Sequence, residues 1–132
     1  MRIEWNGKKL TKKRALFLCW KLWEWLGESG DCSKWRWPRW EHNGGRVAYM
    51  ELECPCCEYM RQNRTPEEVA SNTDIACRNW CLLWGYWKDG CLSTGASPDS
   101  PYDIWDNARD AGKRIKYARR IAAAAKRRYE KL

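Results

Sequence analysis

Residues 51–60, ELECPCCEYM, place three cysteines within four positions around one proline. Cys54-x-x-Cys57 has the spacing of a zinc knuckle, in which two thiolates from one tight turn reach the same ion. A second pair, Cys77 and Cys81, lies downstream at i, i+4. If that segment is helical, both sulfurs share a face and can point at one metal. Cys91 is a further candidate within reach. Four thiolates make a closed tetrahedral site of the structural kind, with no open position for catalysis. The expected cofactor is therefore one structural Zn2+. The competing readings of the same thiols are free cysteines and a disulfide or redox pair. Cys56, next to Cys57, is expected on the other side of the turn. Cys19 falls on an apolar helix stripe and reads as a small core residue. Cys32 follows a Gly-Asp turn and reads as uninvolved. His42, the single histidine, reads as a surface residue rather than a ligand.

Eight cysteines would also suit a secreted disulfide scaffold, so the start of the chain matters. It has a basic stretch followed by an apolar run, but Lys21 and Glu24 interrupt that run and no small-residue cleavage site follows. Residues 15–20 are far too few to span a bilayer. The expectation is an amphipathic helix in a cytoplasmic protein. In a reducing compartment clustered cysteines are more often metal ligands than disulfides.

The remaining composition fits one domain over residues 1–132. With 11 Trp and one Phe, the core must be built largely from tryptophan. A formal charge of +8 favours an acidic partner such as nucleic acid, a nucleotide or an acidic protein face. Cations concentrate in residues 1–40 and from Arg109 onward, while the middle leans acidic.

Three regions follow along the chain. Residues 1–45 hold a short strand and turn at 1–9, a helix capped by Thr11 running to about Leu26 and stopped by Gly27 and Gly30, and an extended segment, SKWRWPRW. Residues 46–100 hold a strand, RVAYMELEC, leading into the cysteines, then a helix opened by Thr65-Pro66-Glu67-Glu68. Residues 101–132 form a last helix from about Tyr102, with Gly112 a place for a kink or break. The expected fold class is a helix-rich small α+β protein: helices around a zinc-stapled cysteine module, with a short strand or hairpin.

That order of motifs resembles a family of small bacteriophage and prophage proteins. The resemblance rests on LWEWL, SKWRWPRW, CPCCEY, CRNWCLLW, Cys91, SPYDIWDNA and a closing basic helix, over about residues 22–120. It implies that Cys54, Cys57, Cys81 and Cys91 occupy the recurrent cysteine positions. Cys77 matches loosely, and Leu82 stands where the pattern has proline, so Cys77 and Cys91 compete for the fourth place. The resemblance implies a phage origin and a site of action in the cytoplasm of a bacterial host. It implies no biochemical function.

Function is therefore read from the surface. The tail ARDAGKRIKYARRIAAAAKRRYEKL carries many cations and few acids, a stripe that can neutralise phosphates with salt-sensitive affinity. The expected nucleic-acid or anion-binding residues are Arg114, Arg119, Arg120, Lys126, Arg127 and Arg128, with Arg36 and Arg39 beside Trp35, Trp37 and Trp40. The bland reading is a solvated helix face, with these tryptophans in the core. There is no Gly-rich phosphate loop and no paired-carboxylate motif, so binding rather than catalysis is expected. The leading partner is nucleic acid. The alternatives are a host protein, on which the chain would dock as an anti-defence (anti-CRISPR-like) inhibitor, and a nucleotide signal held in a Trp/Arg pocket. No membrane partner is expected.

Overall fold

Leu18, Cys19, Leu22 and Leu26 recur at helical spacing, and all four are fully buried on α1, Lys12–Ser29. Thr11 opens that helix, its hydroxyl accepting the Arg14 N–H at 3.1 Å. Gly30 closes it at φ 70°, a left-handed conformation that suits glycine, and donates its N–H to Leu26 O at 3.1 Å. Gly27, expected at the helix end, lies inside it. The computed structural model describes residues 9–38, 54–71, 75–84 and 100–132.

A 3-10 turn, Lys34–Arg36, follows α1 and delivers Trp37 into the core. Next come α2 (Pro55–Asn63), α3 (Pro66–Ala70) and α4 (Ile75–Trp80). The last two helices are α5 (Pro101–Asn107) and α6 (Ala111–Glu130). The single C-terminal helix expected from Tyr102 is thus two. The break falls at Ala108, whose backbone is extended, and not at Gly112. Asp110 then restarts the helix, its Oδ1 accepting the Lys113 N–H at 2.8 Å.

The long helices α1 and α6 pair antiparallel. Gly30 sits by Ala111 and Ile115, Gly27 by Arg119, and Phe17 and Trp20 by Tyr129. The seam of α6 is Ala118, Ile121, Ala122, Ala124 and Ala125, all buried. Its small side chains let α1 approach closely and leave the bulk to the leucines of α1. Each fully buried leucine contributes on the order of 1.5–3 kcal/mol. Trp105 of α5 closes one end, meeting Trp23 edge-to-face with centroids 4.8 Å apart. Both indole N–H groups are buried without a hydrogen-bond partner among the described residues.

The described residues form helices, turns and irregular segments, with no strand among them. The α+β expectation is corrected to a helical fold. Pro55 is the reason at the cysteine module: with Cys54 as N-cap, it starts a helix at once, where a turn after a strand was expected. The strands expected at 1–9 and 46–54 fall almost entirely outside the described residues.

Candidate functional site

Two features stand out around the α1–α6 pair: a buried thiol cluster and a cationic, aromatic face. The cluster joins Cys19 of α1 to Cys54, the N-cap of α2, and to Cys56 and Cys57 in the first turn of α2. Cys19, Cys54 and Cys56 are buried, Cys57 half-buried. Hydrogen bonds from the Cys19 and Cys57 thiols hold the Cys54 thiol well below its usual pKa, against the effect of burial, and the Lys34 charge helps. The same bonds to Cys54 push Cys19 and Cys57 well above the usual range, and burial adds to this. Burial also pushes Cys56 up to about 11. Of these thiols, Cys54 is the one whose ionised form the cluster favours most. Burial opposes the Lys34 charge, but Cys54 and Tyr102 outweigh it and raise its pKa. Its ammonium donates to the Tyr102 hydroxyl at 2.9 Å.

The expected zinc ligands are brought together only in part. Cys54 and Cys57 are hydrogen-bonded, and Cys81 is near enough for its charge to bear on Cys56 and Cys57. Cys77 is half-buried on α4, its C=O accepting the Cys81 N–H at 2.8 Å. Cys91 lies outside the described residues. Among the described residues, no group of three or more His, Cys, Asp or Glu side chains is arranged to hold a metal ion. The thiols of Cys19 and Cys57 bond that of Cys54, and no disulfide joins the cysteines among the described residues. Cys19, read from sequence as a plain core residue, is a member of this network. Its place on the apolar stripe gave its burial but no sign of which thiols it would meet.

The second feature is on the outside. Lys113, Lys116, Arg119, Arg120, Lys126 and Arg127 project from α6 into solvent. The sole acid of that helix is Glu130, in its last turn. None of the six makes an ion pair with a described residue. Several cations are instead positioned by aromatic rings. Arg120 and Lys116 lie over Tyr117, at 4.8 and 5.6 Å from its centroid. Lys21 and Lys126 lie over Trp20, at 4.0 and 5.6 Å, and Lys13 over Tyr129 at 5.8 Å. Phe17, Trp20 and Tyr129 pack on one another with centroids 5.6–5.8 Å apart. Cations of α1 and α6 thus converge on a shared aromatic cluster across the helix seam.

The other expected anion-binding residues divide. Arg114 donates to Gly30 O at 2.8 Å and to Ala108 O at 3.3 Å, tying the end of α1 to the segment that precedes α6. Arg128 donates to Leu82 O at 3.0 Å and to Trp84 O at 2.7 Å. Arg36 is exposed, with Asp31 at 3.8 Å, and Arg39 lies outside the described residues. Trp37 is in the core, so it offers no stacking face. Sequence reasoning missed the Phe17–Trp20–Tyr129 cluster because Tyr129 lies more than a hundred residues from the other two. An aromatic at the α6 terminus beside the cations was the one available sign.

No helix of the described residues is long and apolar enough to cross a membrane. No protein-family model, curated protein or solved structure matches this chain.

Proposed function

We propose that this protein binds nucleic acid along the outer face of α6, extended across the seam by Lys13 and Lys21 of α1. The observation that carries this reading is the convergence of cations from two antiparallel helices on Trp20, Tyr129 and Tyr117. Long lysine and arginine side chains lose rotamer freedom when they grip a phosphate. Ring faces that already restrain them lower that cost, at about 0.5–1 kcal/mol per exposed cation–π contact. A row of cations with a single acid on its helix suits a polyanion better than a mixed protein surface. Contacts of this kind go to phosphates and position the partner without reading its sequence. The buried leucines of α1 and the alanine seam of α6 hold the helix pair together beneath this face.

The test is fluorescence anisotropy with labelled single- and double-stranded oligonucleotides. Binding should fall steeply with salt, and reversing Arg119, Arg120 and Arg127 to glutamate should abolish it with the fold intact. Binding that survives those three reversals refutes the proposal.

A further inference from the structure

A cleft opens where the start of α1, the middle of α2, the end of α4 and the last turn of α6 meet. Its volume is about 390 Å³, within the range that encloses a small ligand. Leu16, Tyr59, Trp80 and Leu82 give it apolar and aromatic walls, and Lys12 and Lys131 line it as well. Both lysines are exposed. The walls are fixed from behind. The Trp80 indole N–H donates to Glu68 Oε1 at 3.0 Å. Glu68 is itself held by the Thr65 N–H at 2.7 Å and by the Asn79 amide at 2.8 Å. Arg128, which also lines the cleft, is anchored on two main-chain carbonyls.

Aromatic and apolar walls beside two exposed ammonium groups suit a ligand that is a planar ring at one end and a dianion at the other. We infer that this cleft binds one phosphorylated nucleobase unit, with the base against Trp80 and Tyr59 and the phosphate between Lys12 and Lys131. The same chemistry is offered by a free nucleoside monophosphate and by the 5′-phosphorylated end of a strand. The cleft uses none of the six α6 cations of the proposed polyanion face, so the two sites stand or fall separately.

The full chain is titrated with each of the four ribonucleoside 5′-monophosphates, with the matching nucleosides and with inorganic phosphate, followed by tryptophan fluorescence and amide chemical shifts. A dinucleotide with and without a 5′-phosphate forms a second arm. Saturable binding of at least one monophosphate is expected, about tenfold or more tighter than its nucleoside or phosphate alone. Lys12→Gln with Lys131→Gln should weaken it by about tenfold or more. Trp80→Ala should weaken it comparably, with circular dichroism checking the fold. If Trp80→Ala unfolds α4, the lysine pair, which is exposed, still gives the answer. Arg119→Glu with Arg120→Glu should leave it unchanged. Equal affinity for monophosphate and phosphorylated dinucleotide assigns a free nucleotide, and a clear preference for the dinucleotide assigns a strand end. No saturable binding in either arm overturns the inference. So does binding equal to that of inorganic phosphate, or binding indifferent to the lysine pair.

Discussion

Gly27 of α1 passes so close to Arg119 of α6 that a Cβ built on it would lie 2.8 Å from the Arg119 Cγ and 3.4 Å from its main-chain nitrogen. This is a close approach of the helix pair, at one of the cations of the proposed binding face. Gly27→Ala gains about 1 kcal/mol of helix propensity. Overpacking of a close interface costs about 1–3 kcal/mol. The clash involves the first carbons of Arg119 and not its flexible end, so a net loss is expected, and a larger one for Gly27→Leu. Urea denaturation reads it; a stabilised Gly27→Ala would show that the helices have room to part.

Glu58 is fully buried, and its carboxylate receives the Arg61 Nε at 2.9 and 3.1 Å and the Gln62 amide at 3.3 Å. Gln62 in turn accepts the Leu10 N–H at 2.7 Å, tying the chain before α1 to α2. Removing Arg61 leaves a buried negative charge without its cation. Arg61→Ala should cost about 3 kcal/mol, the low end for such a pair because Arg61 is partly exposed. Replacing Glu58 by Met in the Arg61→Ala background should recover part of that loss. A double-mutant cycle by urea denaturation that shows no coupling would mean that the pair contributes nothing.

Glu68 is held down to about 2, first by the Thr65 N–H, then by Asn79 and Trp80. A carboxylate with a depressed folded-state pKa stabilises the structure above its unfolded value, and that contribution fades as pH falls. The contact of α3 with α4 should therefore weaken as pH drops from about 4.5 towards 2. Trp80 fluorescence should report it, and Glu68→Gln should flatten the response. A Trp80 signal constant through that window would contradict this assignment.

Parts of this structure were legible in the sequence. The Thr11 cap, the leucine stripe of α1, the Gly30 stop and the Thr65–Glu68 capping box all rest on local chemistry within four residues. The helical start at Pro55 was equally local but was masked by the zinc-knuckle spacing, which argued for a turn. The roles of Arg114 and Arg128 were not legible. Their carbonyl partners at Gly30, Leu82 and Trp84 come from distant segments, and a solvated arginine and a tethered one look the same in sequence. The same holds for Cys19, whose thiol partners lie on another helix.

Exposure should order the reactivity of the thiols. Cys32 is exposed, whereas Cys19 and Cys56 are fully buried and Cys54 nearly so. Under native conditions iodoacetamide should modify Cys32 first, then Cys77 and Cys81, then Cys57, whose thiol is held protonated by Cys54, and reach Cys19, Cys54 and Cys56 only on unfolding. Peptide mass spectrometry follows the order. Cys77 and Cys81 as protected as Cys19 would contradict this order, and elemental analysis would then show whether zinc is bound to them.

Cations of α6 and α1, several of them placed on aromatic rings, form the proposed polyanion site. The most direct measurement is the dissociation constant for a labelled oligonucleotide between about 50 and 200 mM salt, for the native chain and for Arg119→Glu, Arg120→Glu, Arg127→Glu. The account predicts a linear fall of log affinity with log salt, of several counterions' slope, and loss of binding in the triple variant. Undetectable binding by the native chain, or a salt-independent affinity that the triple variant retains, would contradict it.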